Sequence, residues 1–428
     1  AHMCDQYFGY HARHGGSVFI LDKAFSARPI LRDVLKGVVV ESGRLRGKNL
    51  TGSFLSPELS YDGNTIYFAH TEAVGPKDEV GKRSFARIHI PLEDLDSYTE
   101  EECQPKWTAD NTFHIFKVNV DGSGLAQLTD GPWNEFDPYE LPNGRIIFTS
   151  ERRGGYGRCH PRRCPSYTLH TMKNDGSDLT CISYHESNEW HPSVNNDGMV
   201  IYTRWDYWDR GFSQAHHPWI TTPDGLDPRA LQGNYGSIIQ SRPLMEMDVR
   251  AIPGSHKYIT TAAPHHGYAF GALVVIDPRT EDDDAMAPLA RLTPEIPFPE
   301  VENRGQYPKH YGTPWPLSEK YYLCAFAPDG QRHGIYLIDC FGNRTLIYED
   351  ASIRSISPIP LRPRQKPRTV PPTTLAYKQS QDMSPVGVAN VYDSRIPFPP
   401  GTKITQLRIL QALPKSTPIH NAPRIGYG

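Results

Sequence analysis

The sequence has almost no net charge: 45 Lys and Arg against 48 Asp and Glu leave a formal charge of -3 over 428 residues. A bulk basic field of the kind that draws proteins onto nucleic acid is therefore excluded. Long hydrophobic runs are missing too. No stretch of about 18 apolar residues exists, so no helix of this chain spans a membrane. Cysteine is sparse. The seven, at 4, 103, 159, 164, 181, 324 and 340, cannot all pair within one chain, and the fold does not rest on a disulfide framework. Familiar catalytic signatures are absent as well: there is no G-x-S-x-G elbow, no P-loop and no C-x-x-C-H haem-attachment sequence.

Turn formers and aromatics are plentiful instead. The chain carries 35 Gly, 39 Pro, 23 Tyr and 16 Phe, which argues against both disorder and a helical bundle and for many short strands joined by turns. A repeat is visible. Phe136-Asp137-Pro138 leads through Asn143-Gly144 to Ile146-Ile147-Phe148-Thr149, and Trp190-His191-Pro192 leads through Asp197-Gly198 to Val200-Ile201-Tyr202-Thr203. Leu55-Ser56-Pro57 opens an earlier copy, and weaker ones follow at Pro253-Gly254 and Leu317-Ser318. A second run then completes each unit, as in Phe113 to Val118 before Asp121-Gly122, or Tyr167 to Met172 before Asp175-Gly176. Two hairpins per repeat make the four-stranded blade of a β-propeller.

Five blades begin near residues 53, 136, 190, 243 and 306. Val18-Phe19-Ile20-Leu21 reads as a third strand lacking its predecessors, and Ile353 to Pro360 as a first strand lacking its outer partners. Joining them would close a ring of about six blades, with the termini sealed in the manner of Velcro and no free sheet edge. The organisation expected is a tag scar (Ala1-His2-Met3) and extension over 1–15, an all-β propeller over 16–365, a Pro-rich basic linker over 366–382, and a partial β unit over 383–428. Strands are expected at Val386–Tyr392 and Ile404–Leu410, with a further domain following Gly428 in the full gene.

Candidate chemistry gathers on one inferred rim. The loops after the second strands hold His70, Glu151-Arg152-Arg153, Arg204-Trp205-Asp206 and His265-His266, while strand entries hold Asp137, His191, Tyr307 and Lys309. Arg152, Arg204 and Asp206 are the catalytic candidates; plain salt bridges between blades are their alternative reading. His191, His216, His217, His265, His266 and Cys159 are the metal candidates, for a divalent ion that is zinc-like or calcium. Consecutive histidines on a strand point to opposite faces, so only one of each pair serves, and His217 with His266 is the pair expected to face the mouth. His70, Glu151, Arg204 and His265 are expected at equivalent places in four repeats. Cys159-His160 with Cys164 leaves three readings open: a metal site, a disulfide and free thiols.

Glu151-Arg152-Arg153-Gly154-Gly155-Tyr156, Glu189-Trp190-His191-Pro192-Ser193-Val194 and Tyr202-Thr203-Arg204-Trp205-Asp206-Tyr207-Trp208-Asp209-Arg210-Gly211 resemble the propeller domain of the hydrazine synthase alpha subunit family, built from TolB-like (PD40-type) repeats. The resemblance runs over about residues 15 to 365 and implies a six-bladed propeller exported to the periplasm or beyond by a bacterium. In that family a haem is attached through C-x-x-C-H, with a tyrosine ligand and a nearby zinc held by a cysteine. This chain has no such motif, so no covalent haem is expected, and Cys159 is the nearest counterpart of the zinc cysteine. Three functions stay open: a metal-dependent enzyme domain with its site at the His- and Arg-rich mouth, a lyase or hydrolase acting on an acidic glycan, and a non-catalytic TolB-like module that binds a protein or a small-molecule or glycan ligand there.

Overall fold

The computed structural model of the protein describes residues 14–73, 107–157, 165–207, 215–233, 242–265, 267–282, 286–303, 309–372, 387–388, 390–394, 396–410 and 413–416. Among these there is no helix. A hairpin comes first, β1 (Phe19–Asp22) with β2 (Ile30–Asp33). Five antiparallel four-stranded blades follow. They are β3 (Ser53–Leu59), β4 (Thr65–Thr71), β5 (His114–Asn119) and β6 (Ala126–Gln127); then β7 (Glu135–Glu140), β8 (Ile146–Ser150), β9 (Thr168–Met172) and β10 (Thr180–Cys181). The third is β11 (Glu189–Val194), β12 (Val200–Trp205), β13 (His216–Thr221) and β14 (Arg229–Ala230), and the fourth β15 (Met245–Ala251), β16 (Tyr258–Ala263), β17 (Ala272–Ile276) and β18 (Leu289–Arg291). The fifth is β19 (His310–Pro316), β20 (Tyr321–Ala327), β21 (Gly334–Asp339) and β22 (Arg344–Tyr348).

The second strands are buried along nearly their whole length, on both faces. In β4, Phe68 packs with Phe116 and the β1–β2 hairpin, while Tyr67 turns to Ile146 and Phe148 of the next blade. Burial of both faces of β4, at about 25 cal/mol per Å² of apolar surface, helps hold its blade to its neighbours.

The first strands share a defect. Each of β3, β7, β11, β15 and β19 shifts register at a bulge. The bulged residues are Ser56, Asp137, His191, Asp248 and Thr313, all left-handed, with φ between 44° and 55°. Ser357, at φ 54°, is the sixth of the set. Proline follows all but Asp248, placed where the ladder is already broken and a missing N–H costs nothing. Ser56 Oγ donates to Asp137 Oδ1 (2.5 Å), and the His191 amide donates to Asp137 Oδ2 (3.0 Å). The Asp248 amide donates to His191 Nδ1 (3.1 Å), the Thr313 amide to Asp248, and the Ser357 amide to Thr313 Oγ1 (3.0 Å). A left-handed non-glycine residue costs on the order of 1 kcal/mol. Here each one gains a hydrogen bond to the next blade.

Two expectations about the ends change. Residues 353–360 form no strand, because Pro358 and Pro360 cannot donate to a ladder. β1 therefore pairs with β2, and the C-terminal segment meets it by packing, Ile359 lying against the cluster that contains Val18 and Ile20. Residues 404–410 also carry no ladder, and Leu407, Ile409 and Leu410 are exposed rather than folded against a partner. Residues 387–388 and 390–392 are likewise not in a strand; the rest of Val386–Tyr392 lies outside the described residues. The stretch expected as a linker is anchored at its start: Arg368 Nε donates to Asp197 O (3.1 Å).

Asp137→Ala removes the acceptor used by both Ser56 and His191. Its expected cost is about 2–4 kcal/mol, measured as a lowered urea midpoint. An unchanged midpoint would show that the ring does not hold the blades.

Candidate functional site

Strand pairing gives the register of the rim. Phe54 faces His70, Glu135 faces Ser150, Glu189 faces Arg204 and Glu246 faces Ala262. The true counterparts of His70 are thus Ser150, Arg204 and Ala262. Glu151 lies one residue farther along and His265 three, so the expected equivalence of His70, Glu151, Arg204 and His265 fails. A one-residue offset in a strand reverses the face. His70 is packed between Phe54 and Phe116, its Nε2 2.7 Å from the Thr51 carbonyl, and burial pushes its pKa down to about 4.

The glutamates facing these positions are wholly buried, and they claim several of the candidates. Glu135 accepts from Arg152 Nε and lies 3.8 Å from His114 Nδ1 of the preceding blade. Burial would raise its pKa, but His114 and Arg152 together bring it below the usual carboxylate value. Glu189 accepts from the Leu169 amide (2.9 Å) and Ser183 Oγ (2.7 Å). Glu246 is bonded to His217 Nδ1 (3.0 Å) and accepts from Gln232 Nε2. Arg204 Nε donates to Asp206 Oδ1 (2.9 Å), with its guanidinium 3.9 Å over the Trp219 ring. Arg152, Arg204 and Asp206 are therefore all held in ion pairs, and His217 packs between blades.

His191 occupies the channel layer itself. Because its Nδ1 accepts the Asp248 amide, the neutral ring carries its proton on Nε2, 3.4 Å from Asp248 Oδ1 and 3.9 Å from Asp137 Oδ2. Burial raises the Asp248 pKa. Asp248 follows Met247 in a strand without the usual proline, which is why the repeat pattern did not reveal it.

A different pair of imidazoles comes together. His216 at the start of β13 and His265 just beyond β16 have ring centroids 5.3 Å apart. Trp205 stacks on His216 at 4.6 Å, Trp190 lies 5.5 Å away, and Trp190 Nε1 donates to Tyr167 OH (2.6 Å). Met245, Met247 and Ala263 complete an apolar wall. The facing residue of the first pair is thus His216 rather than His217. Cys159 and His266 lie outside the described residues, as do Asp209, Arg210 and Tyr307. Among the described residues, no group of three or more His, Cys, Asp and Glu is arranged to hold a metal ion.

The architecture can now be set against known structures. Hydrazine synthase of Kuenenia stuttgartiensis superposes with a TM-score of 0.54 at 15% identity, over 85% of this chain and 49% of that one. The fold is a β-propeller. This chain spans about half the length of that protein. A TolB from Agrobacterium tumefaciens, described as putative, matches 64% of this chain and 72% of its own with a TM-score of 0.37 at 11% identity. TolB from Acinetobacter baumannii gives 68% and 67%, a TM-score of 0.37 and 10% identity. No family model matches the sequence, and no curated protein does.

Glu151 offers a pH test of the rim's register. It is buried, accepts from the Asn134 amide and side chain (both 3.1 Å), and has its pKa pushed up to about 8 by burial. An acid whose folded pKa exceeds its unfolded value favours folding below the unfolded value and loses that advantage as pH rises to the folded one. Glu151→Gln is therefore expected to be more resistant to urea than wild type at pH 8, with the gap closing near pH 4.5. Parallel pH profiles would place Glu151 in contact with water.

Proposed function

We propose that this protein is an exported bacterial β-propeller module that binds a divalent transition-metal ion through His216 and His265 at one mouth of its channel. The centroid separation of 5.3 Å carries the reading. Two imidazoles on one tetrahedral ion, with metal–nitrogen distances of about 2.0–2.1 Å, place their ring centres about 5.2 Å apart. Neutral nitrogen donors suit zinc, copper or nickel and not calcium, which takes oxygen. With two protein ligands, the remaining positions would be open to water or a small ligand. Such an ion would act there as a Lewis acid.

Both rings are buried, and His216 stacks on Trp205 at 4.6 Å. The acidic-glycan reading is weaker, because the two arginines it would use to hold a uronate, Arg152 and Arg204, already pair with Glu135 and Asp206. Export rests on the sequence resemblance, and fractionation of cells expressing the full gene would test it.

Protein purified without a nickel column and loaded with Co²⁺ should hold one equivalent and show the visible absorption of low-coordinate cobalt. The double substitution His216→Ala with His265→Ala should lose both signals while retaining its β-sheet circular dichroism. A wild type without stoichiometric metal, or a double variant that keeps it, would leave the mouth as a metal-free binding wall.

A further inference from the structure

On the far side of the left-handed ring, the channel ends in a second constellation that the metal reading does not use. Its members lie two residues past the bulges: Glu58 after Ser56, Tyr139 after Asp137, Arg250 after Asp248 and Trp315 after Thr313. His216 pairs with Met245, three residues before Asp248, so the His216–His265 mouth and this layer lie on opposite sides of the ring. The second end is filled by the protein's own C-terminal segment.

Arg364 enters it. Its Nη1 donates to Tyr139 OH (2.7 Å), its Nη2 donates to Glu58 Oε1 (2.7 Å) and to the Leu59 carbonyl, and its amide donates to Tyr61 O (2.9 Å). The guanidinium centre lies 4.6 Å from the Tyr61 ring, 4.9 Å from Tyr139 and 5.4 Å from Trp315. Glu58 is itself buried and immobilised, its other oxygen 2.8 Å from Arg250 Nη2, while Arg250 lies 4.4 Å over Trp315. Four blades thus build a carboxylate-floored box with three aromatic walls around one planar cation.

The chain also makes room for this. A Cβ on Gly198 would lie 2.1 Å from the Arg368 carbonyl oxygen, and one on Gly63 3.0 Å from the backbone of Arg362 and Pro363. The hairpin glycines of two blades therefore serve the close approach of residues 362–368 as well as the turns.

We infer that this end of the channel is a guanidinium-recognition site, filled in this protein by its own Arg364, whose side chain positions residues 361–370 across the blades. An ammonium ion does not fit the same box. Two donors in a fixed fork reach Glu58 and Tyr139 together, and a flat cation lies against the rings.

Chemical complementation tests the site. Arg364→Ala is expected to lower the melting temperature by about 5–10 °C, as loss of a buried charge partner does, and to raise hydrogen exchange within residues 361–370. Millimolar ethylguanidinium should restore much of that melting temperature, ethylammonium should not, and neither should move the wild type, whose box is full. If the variant does not fold, refolding yields with and without the two cations give the same decision. Equal effects of both cations, or none from ethylguanidinium, would overturn the inference. Neither result bears on metal binding at His216 and His265.

Discussion

Six residues in a conformation that L-amino acids avoid hold the centre of this molecule together. Ser56, Asp137, His191, Asp248, Thr313 and Ser357 all stand at positive φ, and along the series side chains and amides of successive members are joined across the blades. The bulge that permits the conformation also re-aims the strand, so residues before it and residues after it line two different layers of the channel. The His216–His265 pair lies on one side of the left-handed layer and the Arg364 box on the other, while His191 and Asp248 belong to the layer itself.

Polar groups do structural work that their residue types disguise. Glu135, Glu189 and Glu246 are wholly buried, and each is tied to groups beyond its own strand. A buried carboxylate without partners would be costly, whereas Glu135, held by Arg152 and close to His114 of the preceding blade, and Glu246, bonded to His217, tie adjacent blades together. That use of Arg152 and His217 removes them from the set free to meet a ligand. His216, one residue from His217, looks the other way into Trp205.

The two ends of the channel are consequently unlike. One is an apolar aromatic wall with two imidazoles; the other is a carboxylate and aromatic box already occupied by an internal cation. A chain segment that reaches back from residue 364 to Glu58 ties the C-terminal part of the propeller to its first complete blade. It does so by one ion pair and a few backbone contacts rather than by a strand ladder, since its prolines leave too few donors for one.

The hairpins and the starts of five blades were legible in the sequence, because an Asp-Gly or Asn-Gly turn between β-branched and aromatic runs is a local signal. Blades expected near residues 53, 136, 190, 243 and 306 have first strands starting at 53, 135, 189, 245 and 310. The dipeptides Ser56-Pro57, Asp137-Pro138 and His191-Pro192 were visible as well, though not their left-handed backbone. What could not be read was which neighbour each rim residue faces. That depends on strand register to a single residue, and a slip of one exchanges His216 for His217 or separates Glu151 from His70. In sequence, residues 366–382 spelled a Pro-rich basic linker, and nothing singled out Arg364 just before it. Only the folded propeller supplies the Glu58 and Tyr139 that turn Arg364 into an anchor, because their chain separation of some hundreds of residues leaves no local trace and the attraction exists only once the blades have buried it.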